Sequence, residues 1–306
     1  MHLQPTVIAV GSINADLVAR VPVMPQPGET VTGSSFEVVW GGKGANQAAA
    51  AAALGARVML VAAVGDDDHG MGSVTDLRER GVDTAHVTVG GEPTGVALIL
   101  VDDTGENSIT VIPGANGTVT ADQVTDAFAS LDVENAVVVS NLEVPIEAVQ
   151  RAAELADERH WPFVLNPAPA RPLPAALLEH VTVATPNETE AETLGSVRGL
   201  LDAGVDAVVV TRGGEGADIH TATGEQHVPA SPARPIDTVG AGDAFTAALA
   251  VAIGSGRALD DAVRWAAAVG AIATESRGAR LPRLEAATID ARVVPGGAAS
   301  HPSSES

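Results

Sequence analysis

Five short runs of Val, Ala, Leu and Phe, RVMLVAAVG (57–65), NAVVVSN (135–141), PFVLNPA (162–168), VTVATPN (181–187) and DAVVVTRG (206–213), alternate with longer segments rich in Ala, Glu and Leu. A sixth, TVIAVGS (6–12), stands near the start of the chain. Runs this short and this continuously apolar suit strands covered on both faces, and strand-helix alternation is the sequence form of stacked βαβ units. The expectation is an α/β fold: a three-layer α/β/α core around a mainly parallel sheet. In such sheets ligands lie beyond the carboxyl ends of the strands. The runs end in GSIN, SNLE, NPAPA, TPNETE and TRGGEG, which puts Asn, Glu, Thr and Gly on one rim.

Two stretches break the alternation. Residues 14–40 hold two β-rich runs around Pro-Gln-Pro-Gly, and residues 94–113 hold two more around Asp-Asp-Thr-Gly. Both read as hairpins with no helix to cover them. Together they predict a small β-sheet lid (14–40 and 94–113) on a core formed by 1–13, 41–93 and 114–294. The last residues, 295–306, are small and polar and read as a disordered tail.

Composition narrows the function. The formal charge is −22, and binding to nucleic acid or an anionic membrane needs a basic face, so neither partner is expected. Any anionic ligand must be held locally. Cysteine is absent, which removes disulfides, thiolate metal sites and a thiol nucleophile. Apolar residues make up 45% of the chain but aromatics only 2%, so the core must pack small and branched side chains. The N-terminus lacks the features of a secretory leader and no run is long enough to span a bilayer, so a soluble cytoplasmic protein is expected.

The segment DTVGAGDAFTAALA (237–250) carries the most chemistry. A glycine-rich turn runs straight into an alanine-rich helix, so the N–H groups of Gly240, Ala241 and Gly242 can converge on an anion at the positive helix end. Asp243 sits where the dipole favours negative charge and where a carboxylate can take a proton from a substrate hydroxyl. In isolation the same residues would equally read as a helix cap and a tight turn. Lys43 is the single lysine of the chain, set in GGKGANQ. It is not a Walker lysine, because no partner glycine lies six positions upstream and Gly44, not Ser or Thr, follows it. The acidic loop GDDDHG (65–70) reads as a solvated loop and helix cap; its His69 has no assigned role. A nicotinamide-binding reading fails because VGSINAD lacks the G-x-G-x-x-G turn.

GGKGANQA with Gly55 and Gly65 at their spacings, followed far downstream by DTVGAGDAFTAALA, resembles the two signatures of the ribokinase (PfkB) family of sugar and nucleoside kinases, over about Val7 to Gly278. The resemblance implies the family's α/β/α core with a β lid, and Asp243 as catalytic base beside the anion hole of Gly240, Ala241 and Gly242. It implies a sugar site of Asn14, Asp16, Gly42, Lys43, Asn46, Glu143 and Asp243. Carboxylates and carboxamides of this kind suit a ring of hydroxyls that both donate and accept. Taken singly, Asn14, Asp16 or Glu143 would more often be a cap or a surface residue. It implies an ATP site with Asn187, Thr211, Gly213, Gly214, Gly216 and Gly242, and Glu190 orienting hydrated Mg2+ through water, although NETE also suits a helix start. A K+ loop would use Asp237, Val239, Ala273, Ser276 and Gly278. Two departures stand out: Ala267 where such kinases commonly carry Asn or His beside adenine, and Pro282 where they often have serine beside the cation.

The resulting expectation is an ATP-dependent pentose kinase that phosphorylates the 5-hydroxyl of D-ribose, with the lid pairing two chains into a homodimer. The alternatives are a family kinase acting on fructose, deoxyribose or a nucleoside, and a catalytically silent sugar-binding regulator on the same fold.

Overall fold

A computed structural model of the 306-residue chain describes residues 4–294. The tail at 295–306 lies outside the described residues. In chain order the strands are β1 (Thr6–Val10), β2 (Asn14–Arg20), β3 (Ser35–Gly41), β4 (Arg57–Gly65), β5 (Val82–Gly90), β6 (Gly95–Val101) and β7 (Asn107–Ile112). They continue as β8 (Val137–Asn141), β9 (Phe163–Asn166), β10 (Val183–Ala184), β11 (Ala207–Thr211), β12 (Gly216–Thr221) and β13 (Gly224–Pro229). The helices are α1 (Lys43–Ala53), α2 (Asp68–Glu79), α3 (Ala121–Ala129), α4 (Ile146–Glu158) and α5 (Ala175–Leu178). After these come α6 (Glu188–Thr193), α7 (Val197–Asp202), α8 (Ala241–Gly254), α9 (Leu259–Ala273) and α10 (Ala286–Asp290).

Nine strands form one sheet in the order β13-β12-β11-β10-β9-β8-β1-β4-β5. It is parallel from β11 to β5, and the β12–β13 hairpin adds two antiparallel strands at one edge. The interior strand β1 shows why three layers form. Val7 and Ala9 point into a cluster built from the alanines of α1, α8 and α9, whereas Ile8 and Val10 point into one holding Phe128, Val149 and Leu177. Alternation along a strand thus feeds two cores, one on each sheet face.

The smaller sheet has the order β3-β2-β6-β7. Each hairpin is antiparallel within itself, and β2 pairs with β6 in parallel from Asn14↔Gly95 to Arg20↔Val101. A parallel partner needs a long crossover, and here the chain supplies it by passing through α1, β4, α2 and β5 before returning. The Pro-Gln-Pro-Gly segment is not a tight turn: the strands stop at Arg20 and resume at Ser35.

Two further differences have physical causes. The run VTVATPN yields only the two-residue β10, because Pro186 has no N–H to continue the ladder. Strands β5, β12 and β13 carry polar and charged residues such as Asp83, His86, His220 and Glu225, so they lack the apolar continuity that marks the other strands.

Candidate active site

The loop before α8 is shaped by backbone constraint. Gly240 has φ +76°, and a Cβ there would stand 2.6 Å from the Cα of Ala279, so only glycine fits both the left-handed conformation and the packing. α8 then starts at Ala241 with no side-chain cap. The Ala241 N–H is turned onto the Thr238 carbonyl at 3.2 Å, so this member of the expected anion turn already has a protein acceptor. One turn in, Asp243 is only 7% exposed. Its Oδ2 accepts from Asn46 Nδ2 at 2.9 Å and its Oδ1 from Gln47 Nε2 at 3.1 Å, both from the first turn of α1.

α1 is placed by glycines too. A Cβ at Gly44 would collide with the backbone of Gly11 and Ser12, and Gly42 has φ +87°. This close approach of α1 to the end of β1 lets Asn46 and Gln47 reach Asp243. The Glu143 carboxylate ties the same corner: its Oε2 accepts from the Lys43 backbone N–H at 3.1 Å and from Ser12 Oγ. Asn14 is buried, and its Oδ1 accepts from Asn116 Nδ2 at 2.7 Å. Asp16 lies on β2 with its carboxylate against Gly41, where any Cβ would overlap it. Asn46 Oδ1 is buried with no protein partner, an acceptor left for a ligand hydroxyl.

Electrostatics at this end are crowded. Burial, then Glu143 and Asp243, lift the Asp16 pKa from 3.8 to about 6, against the pull of Arg280. Burial works against charge on Lys43, yet Asp243, Glu143 and Glu190 together hold its pKa above the ordinary value. The one lysine therefore stays an ammonium among carboxylates.

On the other side of the α8 N-terminus is a cavity of about 680 Å³. Its lining includes Asn187, Thr211, Gly213, Gly214, Gly216 and Gly242, all six residues that the sequence assigns to nucleotide, together with Phe245, Ala267 and Pro235. Asn187 caps α6 in a reciprocal box: its Oδ1 accepts from Glu190 N and Glu190 Oε2 accepts from Asn187 N, each at 2.8 Å. The helix-start reading of NETE is therefore present in the structure alongside its position at the cavity rim.

Asp237 joins two loop segments. Its Oδ1 accepts from Val239 N at 3.0 Å and its Oδ2 from Gly278 N at 2.9 Å. Ala273 O meanwhile accepts from Ser276 N at 3.4 Å. The expected cation-loop residues are thus neighbours. The grouping of three carboxylate and imidazole side chains found among the described residues, Asp218, His220 and Glu225, lies on the β12–β13 hairpin instead, where Arg212 and His227 already engage Asp218.

One rim therefore carries a buried carboxylate at a helix start, a polar pocket on one side and a glycine-lined cavity on the other. The model of the pfkB family of carbohydrate kinases matches residues 4–287. The chain belongs to that family. Among its pfkB relatives, a ribokinase of Haemophilus influenzae is 36% identical over 91% of this chain and 95% of its own length. A deoxyribokinase of Salmonella typhi is 36% identical over 78% of this chain and 82% of its own. The fold is similar to that of Arabidopsis thaliana ribokinase solved with ribose and ATP, with TM-score 0.82, 28% identity and coverage of 96% and 99% of the two chains.

The pfkB signatures did not reveal every residue that shapes this site. Gln47, Asn116, Asn166 and Arg280 were not singled out as site residues. Gln47 Nε2 also reaches Asn166 Oδ1 at 3.3 Å, and Asn166 Nδ2 donates to the Thr185 carbonyl at 3.2 Å, so a buried amide chain runs from Asp243 to β10. A usable signal existed for Gln47, which is polar at a wholly buried position inside an alanine run. Arg280 had none.

Proposed function

We propose that this pfkB-family kinase transfers the γ-phosphoryl group of ATP to the 5-hydroxyl of D-ribose, giving D-ribose 5-phosphate and ADP. The observation that carries this is Asp243, buried at the start of α8 with Asn46 and Gln47 on its two oxygens and its neighbour Gly242 on the wall of the 680 Å³ glycine-lined cavity. Asn14, Asp16, Gly42, Lys43, Asn46 and Glu143 surround the sugar. Asn187, Thr211, Gly213, Gly214 and Gly216 face the nucleotide. The sugar hydroxyl gives its proton to Asp243, whose two oxygens are fixed by Asn46 and Gln47, as the oxygen meets the γ-phosphorus in line. Such transfer asks little of the base, so positioning and charge stabilisation at the α8 N-terminus do most of the work. With Ala241 N–H on Thr238 O, the two glycines 240 and 242 are the donors available to phosphoryl oxygens. Closure of the β2-β3-β6-β7 lid excludes water, the competing acceptor.

The chemistry fits Mg2+ that keeps most of its waters: the Glu190 carboxylate, boxed with Asn187 at the cavity rim, would hold the ion through water. When bound, magnesium neutralises charge on the phosphates. The Asp237 carboxylate and the carbonyls of Val239, Ala273, Ser276 and Gly278 fit a weakly hydrated K+ in chemistry, and Asp237 ties the Val239 and Gly278 segments together. The lid exposes Phe36, Val38 and Leu98, which the strand registers put on the face opposite Asp16, and this apolar face supports pairing of two lids in a homodimer. A monomer by light scattering at working concentration would remove the dimer.

Deoxyribose is the second reading, favoured by the 36% identity to a deoxyribokinase. The test is a coupled ADP-release assay with D-ribose, 2-deoxyribose, fructose and a ribonucleoside, with and without K+. Highest kcat/KM on D-ribose is expected. A preference for another acceptor overturns the ribose assignment, and no turnover with any of them overturns the kinase reading.

A further inference from the structure

Among the described residues, Arg280 is the charged side chain with the most buried donors left without a hydrogen bond. Its side chain is 9% exposed, and Nε, Nη1 and Nη2 all lack a hydrogen-bond partner. The one ion pair near it is loose: Nε lies 3.6 Å from Asp76 Oδ2, and Asp76 is already held by Arg80 at 2.9 Å. A guanidinium carries five donors in a planar fork, and one buried with no hydrogen bond and only a loose, shared carboxylate near it leaves those donors open to a ligand.

The location says which kind. Arg280 directly follows Ala279, the residue that packs on Gly240 of the anion turn. Asp16 and Asp243 both interact with its charge, and even so burial brings its pKa down to about 10. Its Nε faces Asp76 of α2, the helix that packs on β2, the strand that carries Asp16, while its neighbour Ala279 packs on Gly240, so Arg280 lies between the α8 N-terminus and the lid on the acceptor side. A buried cation at this end in addition to Lys43 is more than a neutral sugar requires, since Asp16, Asn46 and Glu143 suffice for its hydroxyls. A planar fork of unpaired donors matches phosphoryl oxygens.

We propose that Arg280 binds the phosphoryl group on the acceptor side, gripping its oxygens as it arrives and holding the sugar phosphate after transfer. This rests on the kinase reading above. In the step concerned, the bond from the γ-phosphorus to the β,γ-bridging oxygen breaks with its electron pair going to ADP. The sugar oxygen forms the new bond to phosphorus and its proton passes to Asp243. Arg280 exchanges no atoms; its donors pair with oxygens that become part of the product.

The experiment is calorimetric titration of D-ribose, D-ribose 5-phosphate and ADP into the full chain, the Arg280→Gln variant and the Arg280→Lys variant, with thermal melts to confirm folding. Losing a forked charge-assisted contact should weaken D-ribose 5-phosphate by about 10- to 100-fold in Arg280→Gln, with D-ribose and ADP changed by less than about threefold. Arg280→Lys should recover part of the loss, since it keeps the charge without the fork. The same split should appear as weaker product inhibition in steady-state assays. Equal loss for sugar and sugar phosphate, or no loss for either, overturns the proposal and makes Arg280 a charge balance for Asp16 and Asp243. Wild-type protein that binds D-ribose but not its 5-phosphate also overturns it, whereas wild type that binds neither brings down the functional reading and the proposal with it.

Discussion

Asn46 Nδ2 lies 2.9 Å from Asp243 Oδ2, a hydrogen bond that joins residues 197 positions apart in the chain. The two helix starts that carry them, α1 and α8, pack directly against each other through alanines. Side chains this small let the helices approach until short amides span the gap, so the composition of the core sets the geometry of this carboxylate.

Replacing that base should stop the chemistry and spare the binding. Asp243→Asn removes the proton acceptor and turns an amide N–H toward the donors of Asn46 and Gln47. The expected drop in kcat is about 10²- to 10⁴-fold, the usual worth of a positioned base. ATP affinity by calorimetry should be nearly unchanged. Turnover equal to wild type would show that Asp243 only caps α8.

Gln47, wholly buried, holds Asp243 through its Oδ1. Gln47→Ala frees Oδ1 and breaks the amide chain to Asn166. A hydrogen bond to a charged group is worth about 1.5 to 3 kcal/mol, so kcat should fall by roughly tenfold or more. KM for sugar should move little. A change confined to KM would place Gln47 in the sugar pocket instead.

Asp16 gives the pH dependence a sign. With its pKa lifted from 3.8 to about 6 by burial, Glu143 and Asp243, it is protonated in the sugar-free enzyme below that value. Sugar kcat/KM should therefore decline as pH falls through about 6, and Asp16→Asn should lower the plateau and erase that limb. Stability runs the other way. Because the folded protein holds this proton more tightly than the unfolded chain, stability attributable to Asp16 falls as pH rises from 3.8 to about 6 and stays lower above it. Asp16→Asn should then raise Tm at pH 7.5 and leave it nearly unchanged at pH 4. A Tm lowered at both would mean that Asp16 is a structural anchor.

Lys43 should matter to the sugar and far less to the nucleotide. Its ammonium is held charged by Asp243, Glu143 and Glu190, and its backbone N–H is fixed on Glu143. In Lys43→Ala, KM for D-ribose should rise and kcat fall, with ATP binding close to wild type. Unchanged sugar affinity and turnover would reduce the side chain to a bystander.

The architecture and the two signatures are legible in the residues alone. Apolar strand runs alternating with alanine-rich segments leave little choice but a parallel sheet between helices, because a strand buried on both faces must be apolar at every position. The uncovered β-formers at 14–40 and 94–113 marked the second sheet for the same reason in reverse. Glycine turns announced the anion site, since the conformations they allow are closed to other residues, as Gly240 shows. Strands β5, β12 and β13 escaped because mixed polar positions carry no such pattern. Partnership across long separations came from packing alone. That Gln47 holds Asp243, that Asn116 holds Asn14, and that Arg280 is buried beside the site with its donors unpaired follow from how the layers pack, and local periodicity contains no record of which side chains that packing brings together.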